Sequence, residues 1–422
     1  MIDLKAFRDN PTAFRDAAKA KNVEIDIERI MELDKRVRFL KTELENTSAQ
    51  KNEASKQIAK ADPDTRKTLI EEMRVVDRKA ETLDTELKPL ASELEDALYR
   101  IPNPSTPDVK IGASDAENEV VREVGDRTAF SFKPKDHIEL GEALGIIDVE
   151  AGAKASGARF AYFKGDAVML ELALVQYAFA VMARHGFIPA TVPHLVSARV
   201  MRAMGYLEHG GHDEIYFLAK DNLYLIGTAE QALGAVHMDE ILSHTTLPRR
   251  YVGYSPCYRR EAGSYGKDTR GILRMHQFDK IEMFSFTTPE ASDTEHELLL
   301  SVEEELMQGL GLPYRVIKQC TGDLGLPAAR KYDIEAWMPS QDTYRETHST
   351  STCTDYQARR LNTRYRDEEG NVKLVHTLNG TGFAVGRTMI AIMENNQQED
   401  GSIVIPEALR PFMGGKEKMT KV

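Results

Sequence analysis

The sequence predicts an α+β protein: an N-terminal antiparallel α-helical hairpin, or coiled-coil arm, followed by an antiparallel β-sheet domain flanked by helices. Three observations predict it. Apolar residues recur at alternating spacings of three and four across residues 27–101, the heptad pattern of packed helices. Beyond Asp136, period-two stretches cluster without regular βαβ alternation, which favours an antiparallel sheet over a Rossmann fold. Neither GxxxxGK[ST] nor GxGxxG occurs, so neither common nucleotide-binding loop is available.

The first helix of the arm carries its seam on Ile30, Leu33, Val37, Leu40, Leu44, Ala54 and Ile58. The second carries it from Leu69, Met73 and Val76 through Leu83, Leu90 and Leu94 to Ile101. Between them, Ala61-Asp62-Pro63-Asp64-Thr65 is a turn with Asp64 as the expected cap of the second helix. About 35 residues per helix at 1.5 Å rise would reach roughly 50 Å. Thr47 and Lys51 occupy seam positions, so packing should weaken there, and Pro89 should kink the second helix. Alone, such a hairpin reads as a dimerising coiled coil, since acids and bases nearly balance along its first helix.

Pro102-Asn103-Pro104-Ser105-Thr106-Pro107 ends the arm. The organisation is therefore residues 1–101, a linker over 102–135, and a larger domain over 136–422. In the last, helices are expected near Asp166–His185 and Ser292–Leu310. Strands are expected near Glu214–Leu218, Leu223–Ile226, Arg250–Tyr258, Phe278–Phe286 and Tyr314–Lys318.

Composition narrows the function only by exclusion. A net charge of −12 is not that of a general duplex binder, so any nucleic-acid contact must use local patches. Three widely spaced cysteines, Cys257, Cys320 and Cys353, fit neither a disulfide framework nor a zinc site and point to a reducing compartment. The charged start and the lack of an uninterrupted apolar run of roughly 20 residues give the expectation of a cytoplasmic protein without a membrane partner.

Two clusters carry chemistry. Residues Cys257 to Glu282 read as strand, glycine-rich polar loop and returning strand, with Arg259, Arg260, Arg270 and Arg274 inside and Arg250 just upstream. Guanidinium groups gathered around a loop suit polyphosphate, because arginine offers planar bidentate donors. Phe278 could present a flat face to a base. A lone hairpin of this kind is otherwise a solvated surface feature. The second cluster, Leu378-Asn379-Gly380-Thr381-Gly382-Phe383-Ala384-Val385-Gly386-Arg387, reads as small residues leading into a helix over Met389–Glu394. Exposed N–H groups there suit an anion, and Arg387 stands where the helix dipole disfavours a cation. A tight turn with a tolerated surface arginine reads equally well.

These segments resemble motifs 2 and 3 of class II aminoacyl-tRNA synthetases in their seryl form. Leu225-Ile226-Gly227-Thr228-Ala229-Glu230 is similar to that family's serine-binding TxE segment. Tyr332 to Trp337, Tyr344-Arg345-Glu346 and Asp355 to Arg360 also match, and Gly186 to Pro193 resembles motif 1, the dimer element. The resemblance spans essentially the whole chain in order, and it makes the hairpin a tRNA-binding arm.

The resemblance implies a serine–tRNA ligase that forms seryl-adenylate from ATP, then charges tRNA(Ser), with tRNA(Sec) as a second candidate partner. Arg259 and Arg387 would be catalytic, with Arg259 joining the α-phosphate to the serine carboxylate. Arg260, Glu261, Arg274, Met275, Phe278, Glu346, Thr347, His348 and Ser349 would complete the ATP site. Within it, Glu261 would read adenine, Phe278 would stack on it, and Arg274 and Arg387 would grip the terminal phosphate. Glu346 and Ser349 would hold Mg²⁺; no zinc is expected. Thr228 and Glu230 would take the serine ammonium and Glu282 and Thr381 its hydroxyl, with Ala229 and Asn379 completing the serine-binding set. The sequence departs from the family pattern at Gly227, where many relatives carry proline, at Thr381, where serine is usual, and at His348, inside a usual Ser-Ser pair. His348 is expected to make hydrogen bonds and not to bind metal. Two rival readings are a paralogue that loads a carrier protein, which would lack the arm, and a non-catalytic regulator, which need not keep Arg259, Glu261, Glu282, Glu346 and Arg387.

Overall fold

A computed structural model describes residues 2–262 and 270–421. The glycine-rich loop of the first cluster, residues 263–269, therefore lies outside the described residues. The chain divides into two compact units, Met1–Lys19 with Val23–Pro102, and Ala20–Asn22 with Asn103–Val422.

The first unit is built on two long helices, α1 (Ile27–Ile58) and α2 (Pro63–Tyr99), which pack on each other. Ile30, Leu33, Val37 and Leu40 of α1 and Leu94 and Leu98 of α2 are buried at the base. The turn is capped by Asp62 and not by Asp64: the Asp62 carboxylate accepts from the backbone N–H groups of Asp64 and Thr65. Pro63 takes the first helical position, where its missing N–H costs nothing. Polar contacts close the seam where apolar ones run out. Thr47 is buried and its hydroxyl donates to the Glu43 carbonyl at 2.7 Å. Lys51 reaches Asp77 at 2.5 Å and Lys79 reaches Glu43 at 2.9 Å. Helix α2 continues through Pro89 to Tyr99.

The second unit is organised by an eight-stranded sheet: β1 (Glu119–Val124), β2 (Ile188–Thr191), β3 (Arg249–Tyr258), β4 (Gln277–Thr287), β5 (Tyr314–Lys318), β6 (Arg330–Met338), β7 (Thr343–Thr352) and β8 (His376–Ala384). The order is β1-β5-β6-β7-β8-β4-β3-β2, with every neighbouring pair antiparallel except β2 and β3. Strand β1 lies inside the stretch read as a linker. Helices α3 (Asp166–Arg184), α4 (Ser292–Gly309) and α5 (Val385–Asn395) flank the sheet and share its apolar core. Helix α3 is long and apolar enough to cross a membrane by composition, but Leu170, Ala173, Leu174, Ala178, Val181 and Met182 are buried in that core.

The segment Leu378–Ala384 is a buried strand and not a turn before the helix. Its glycines permit close packing: a Cβ on Gly382 would sit 2.5 Å from Met182 Cε, and one on Gly380 3.0 Å from Met283 Cε. Helix α5 correspondingly begins at Val385 and contains Arg387 in its first turn.

Candidate active site

Strands present alternate residues to one face, and that periodicity builds the site. Lys331 of β6 lies across from Ser351 of β7, which lies across from Asn379 of β8; Thr381 of β8 lies across from Glu282 of β4. These five side chains form the floor of a cavity of about 370 Å³. Arg259, Glu261, Arg274, Met275 and Phe278 wall one side, and Glu346, Thr347, Ser349 and Arg387 another.

Arg259 follows β3, and its backbone N–H donates to the His276 carbonyl at 3.0 Å. Its Nε donates to the Gly227 carbonyl at 3.1 Å, and its guanidinium carbon lies 5.3 Å from the Phe278 ring centre. The planar group is thus fixed on one edge while the other edge faces the cavity. Gly227 contributes a second constraint, since its N–H donates to Gln231 Oε1 at 2.8 Å, a bond a proline could not make. At Glu261 the backbone enters the left-handed region (φ 53°), a strained conformation for a non-glycine residue. That turn aims the Glu261 carboxylate at Arg274, whose Nη1 donates to it at 3.1 Å. Arg387 Nη1 donates to the Glu346 carboxylate at 3.0 Å.

A recess of this same cavity holds two buried acids. Glu230 opens a short helix after Thr228, and Glu282 comes from β4. Burial pushes the Glu282 carboxyl up to about 7, against the opposing pull of Lys280. Lys280, two residues earlier on the same strand face, forms an ion pair with Glu282 and reaches Thr228 Oγ1 at 3.4 Å.

Residues 216–396 match the family described as "tRNA synthetase class II core domain (G, H, P, S and T)", and residues 1–105 match "Seryl-tRNA synthetase N-terminal domain". The serine–tRNA ligase of Rubrobacter xylanophilus is 46% identical over 415 residues, 98% of each chain. The chain belongs to the seryl-tRNA synthetases. The synthetase is an ATP-using class II ligase of the same family as the serine–tRNA ligase of Thermobifida fusca, 46% identical over 98% of each chain. Its fold is similar to that of a seryl-tRNA synthetase from Pyrococcus horikoshii complexed with ATP, with a TM-score of 0.92, 37% identity and 100% of both chains covered. A cytoplasmic serine–tRNA ligase from Naegleria fowleri in complex with AMP gives a TM-score of 0.85 at 32% identity, over 98% of this chain and 96% of that one.

Three residues assigned to the synthetase's site by resemblance do not line this cavity. Ala229 is fully buried, holding the turn between Thr228 and Glu230. Arg260 points elsewhere and stacks over Tyr216 at 5.1 Å. His348 is buried beneath the floor, its Nδ1 2.9 Å from Thr347 Oγ1 and its ring against Phe383; burial pushes it down to about 3, so it is neutral. Thr347 itself spends its hydroxyl on the Ile334 carbonyl at 3.2 Å. Nor do all the arginines of the first cluster converge. Arg250 grips Glu295 at 2.7 Å, and the exposed Arg270 pairs with Asp136 at 3.2 Å.

Conversely, Tyr206, Lys280, Lys331, Ser351, Cys353 and the segment Gly325–Ala328 line the cavity outside the set of residues the resemblance assigns to the site. Lys331 and Ser351 had a usable signal: each is two residues from a polar residue on the same strand face, Asp333 and Ser349. Tyr206 had none, because it lies in an irregular segment.

Proposed function

We propose that this cavity activates serine with ATP and then charges tRNA(Ser), with the N-terminal arm supplying the tRNA contact. The observation that carries the reading is convergence: Arg259, Arg274 and Arg387 line one cavity together with Glu230 and Glu282.

In the first half-reaction the serine carboxylate oxygen attacks the α-phosphorus of ATP, and pyrophosphate leaves. Arg259 holds the carboxylate and the α-phosphate together. Charge builds on that phosphate in the transition state, so a guanidinium already fixed by Gly227 stabilises it more than the ground state. Glu261 accepts from the adenine amino group, Phe278 stacks on the ring, and Arg274 and Arg387 take the terminal phosphate. Among the described residues no group of three or more His, Cys, Asp or Glu side chains could hold a metal. Glu346 and Ser349 supply hard oxygen donors of the kind Mg²⁺ takes and would hold the ion there. Bound there, Mg²⁺ would neutralise charge on the leaving pyrophosphate.

Thr228 and Glu230 take the serine ammonium; Glu282 and Thr381 take its hydroxyl, with Asn379 beside them. A carboxylate committed to one hydroxyl rejects an analogue lacking it by about 10⁴-fold. In the second half-reaction a ribose hydroxyl of the 3′-terminal adenosine of tRNA attacks the seryl carbonyl, forming the ester as the bond to the adenylate phosphate breaks and AMP leaves. A homodimer is supported by the edge strand β2 and helix α3, which touch and leave Ile188, Val168, Met169 and Leu172 exposed. The cytoplasm is the compartment that suits three unpaired, buried cysteines.

Exchange of label between pyrophosphate and ATP across the standard amino acids tests the reading. Serine alone should support strong exchange, and Arg259→Ala should nearly abolish it. Equal exchange with glycine or alanine would sink the substrate assignment. Charging of tRNA(Ser) and tRNA(Sec) transcripts settles the RNA partner.

A further inference from the structure

The two acids of the serine recess are held in opposite ways. Glu230 is gripped by neutral donors only. Tyr206 Oη donates to its Oε2 at 2.6 Å, while Gln357 Nε2 at 2.9 Å and Asn379 Nδ2 at 3.1 Å donate to Oε1. Gln357 is itself oriented, because its Oε1 accepts from the Thr377 hydroxyl at 2.8 Å, which leaves only its N–H₂ to face Glu230. Among the described residues no Lys, Arg or His forms an ion pair with Glu230. Glu282, the other acid, has a resident cation in Lys280.

Neutral hydrogen bonds orient a carboxylate without cancelling its charge, whereas a paired ammonium cancels most of it. A buried charge without a counter-ion is costly, and an incoming cation relieves that cost. The recess therefore has one anionic position waiting for an ammonium and one already neutralised position suited to a neutral polar group. A serine zwitterion presents both, an ammonium and a hydroxyl two carbons apart.

We propose that Tyr206, Gln357 and Lys280 are positioning residues that keep these two acids distinct, holding Glu230 without a cation for the ammonium and Glu282 paired for the hydroxyl. This rests on the assignment of the recess to serine, and it names what keeps the amino acid from binding with its two ends exchanged. Lys280 then also excludes a substrate carrying a second ammonium, since Glu282 has no uncancelled charge to offer it.

Serine-dependent pyrophosphate exchange on the full-length enzyme tests it with Tyr206→Phe, Gln357→Met, Lys280→Met and Lys280→Arg, and Glu230→Gln as reference. Tyr206→Phe and Gln357→Met should raise the serine KM about tenfold or more, the effect of losing a hydrogen bond to a charged group. The KM for ATP and kcat should stay within about threefold, a split that general loosening of the fold would not give. Lys280→Met should improve inhibition by 2,3-diaminopropanoate (serine with an amine in place of its hydroxyl) at least tenfold relative to the serine KM, and Lys280→Arg should keep the wild-type ratio. Unchanged serine KM in both clamp variants, or an unchanged inhibition ratio in Lys280→Met, overturns the sorting. Should Lys280→Met fail to fold, the clamp variants decide alone. If Glu230→Gln leaves the serine KM unchanged, the serine assignment itself falls; if it raises KM while the clamp variants do not, only the sorting falls.

Discussion

Arg387 holds Glu346 at two points, donating from Nη1 to its carboxylate at 3.0 Å and to its backbone carbonyl at 3.1 Å. A cation in the first turn of a helix works against the helix dipole, and Glu346 supplies the compensating charge. Desolvation pushes the Glu346 carboxyl up, but Arg387 and Lys331 outweigh it and hold the group down at about 2. The Glu346 carboxyl is thus ionised at neutral pH, and both residues line the cavity.

Removing that guanidinium has two effects. Arg387→Ala takes away a proposed phosphate donor and leaves the Glu346 carboxylate with less compensation. Loss of one such donor typically costs about 10²–10³-fold in rate. Pyrophosphate exchange should fall by about that factor, and the KM for ATP should rise while that for serine changes little. Exchange within tenfold of wild type would remove Arg387 from the phosphate site.

The segment carrying Arg274 hangs on a buried histidine. The Ile272 N–H donates to His137 Nε2 at 3.3 Å, and the opposite nitrogen, Nδ1, lies 3.1 Å from Glu394, which is fully buried. Gly271 makes room for this contact: it has φ 88°, and a Cβ there would lie 2.3 Å from His137 Nε2. Gly271→Ala is therefore strained twice over, by its backbone and by collision with a packed ring. It should weaken ATP binding several-fold and lower the thermal midpoint by several degrees. Full ATP affinity in this variant would mean that the 270–274 segment does not need its anchor.

Such contacts mark where the sequence stops being legible. Arg259, Glu261 and Arg274 could be found because polar residues at strand–loop junctions stand out against the alternating strands around them. The long helices and strands β3 to β5 followed their periodicity, with Tyr314–Lys318 matching residue for residue. Leu378–Ala384 looked like a turn because two glycines there signal loop, whereas the three-dimensional cause is the absence of space for a Cβ above Met182 and Met283. Asp62 and Asp64 are equivalent as local capping signals; the proline between them decides for Asp62. Tyr206 and Lys21 act over 24 and more than 300 residues of separation, which no local pattern records.

Lys21 belongs with the second compact unit. It is buried, and its ammonium donates to the carbonyls of Ala328 at 2.6 Å and Gly325 at 3.0 Å, two residues of the cavity wall. Lys21→Met keeps much of the volume and leaves those carbonyls without their donor. Each buried unsatisfied carbonyl costs about 1–3 kcal/mol. The thermal midpoint should drop and exchange should slow several-fold, while Lys21→Arg should recover part of both. An unaltered midpoint and rate in Lys21→Met would show that the wall stands without it.

Glu282, the acid proposed to read the hydroxyl, also sets a pH window. Glu282, ordinarily near 4.5, is pushed up by burial to about 7 in the empty enzyme. Between those values the folded chain holds a proton that the unfolded chain has released. Stability of the empty enzyme is therefore greatest below pH 4.5 as far as this group is concerned, and that contribution is lost as pH rises through about 7. Serine binding runs the other way. In the proposed site the hydroxyl donates to the ionised carboxylate, so below about pH 7 each bound serine must first displace a proton, and KM should rise towards tenfold per pH unit down to about pH 5. Glu282→Gln cannot titrate and should flatten this slope while weakening binding throughout. Wild-type serine KM measured from about pH 5.5 to 8.5 distinguishes the cases: a flat profile would mean that the hydroxyl is read by a group other than Glu282.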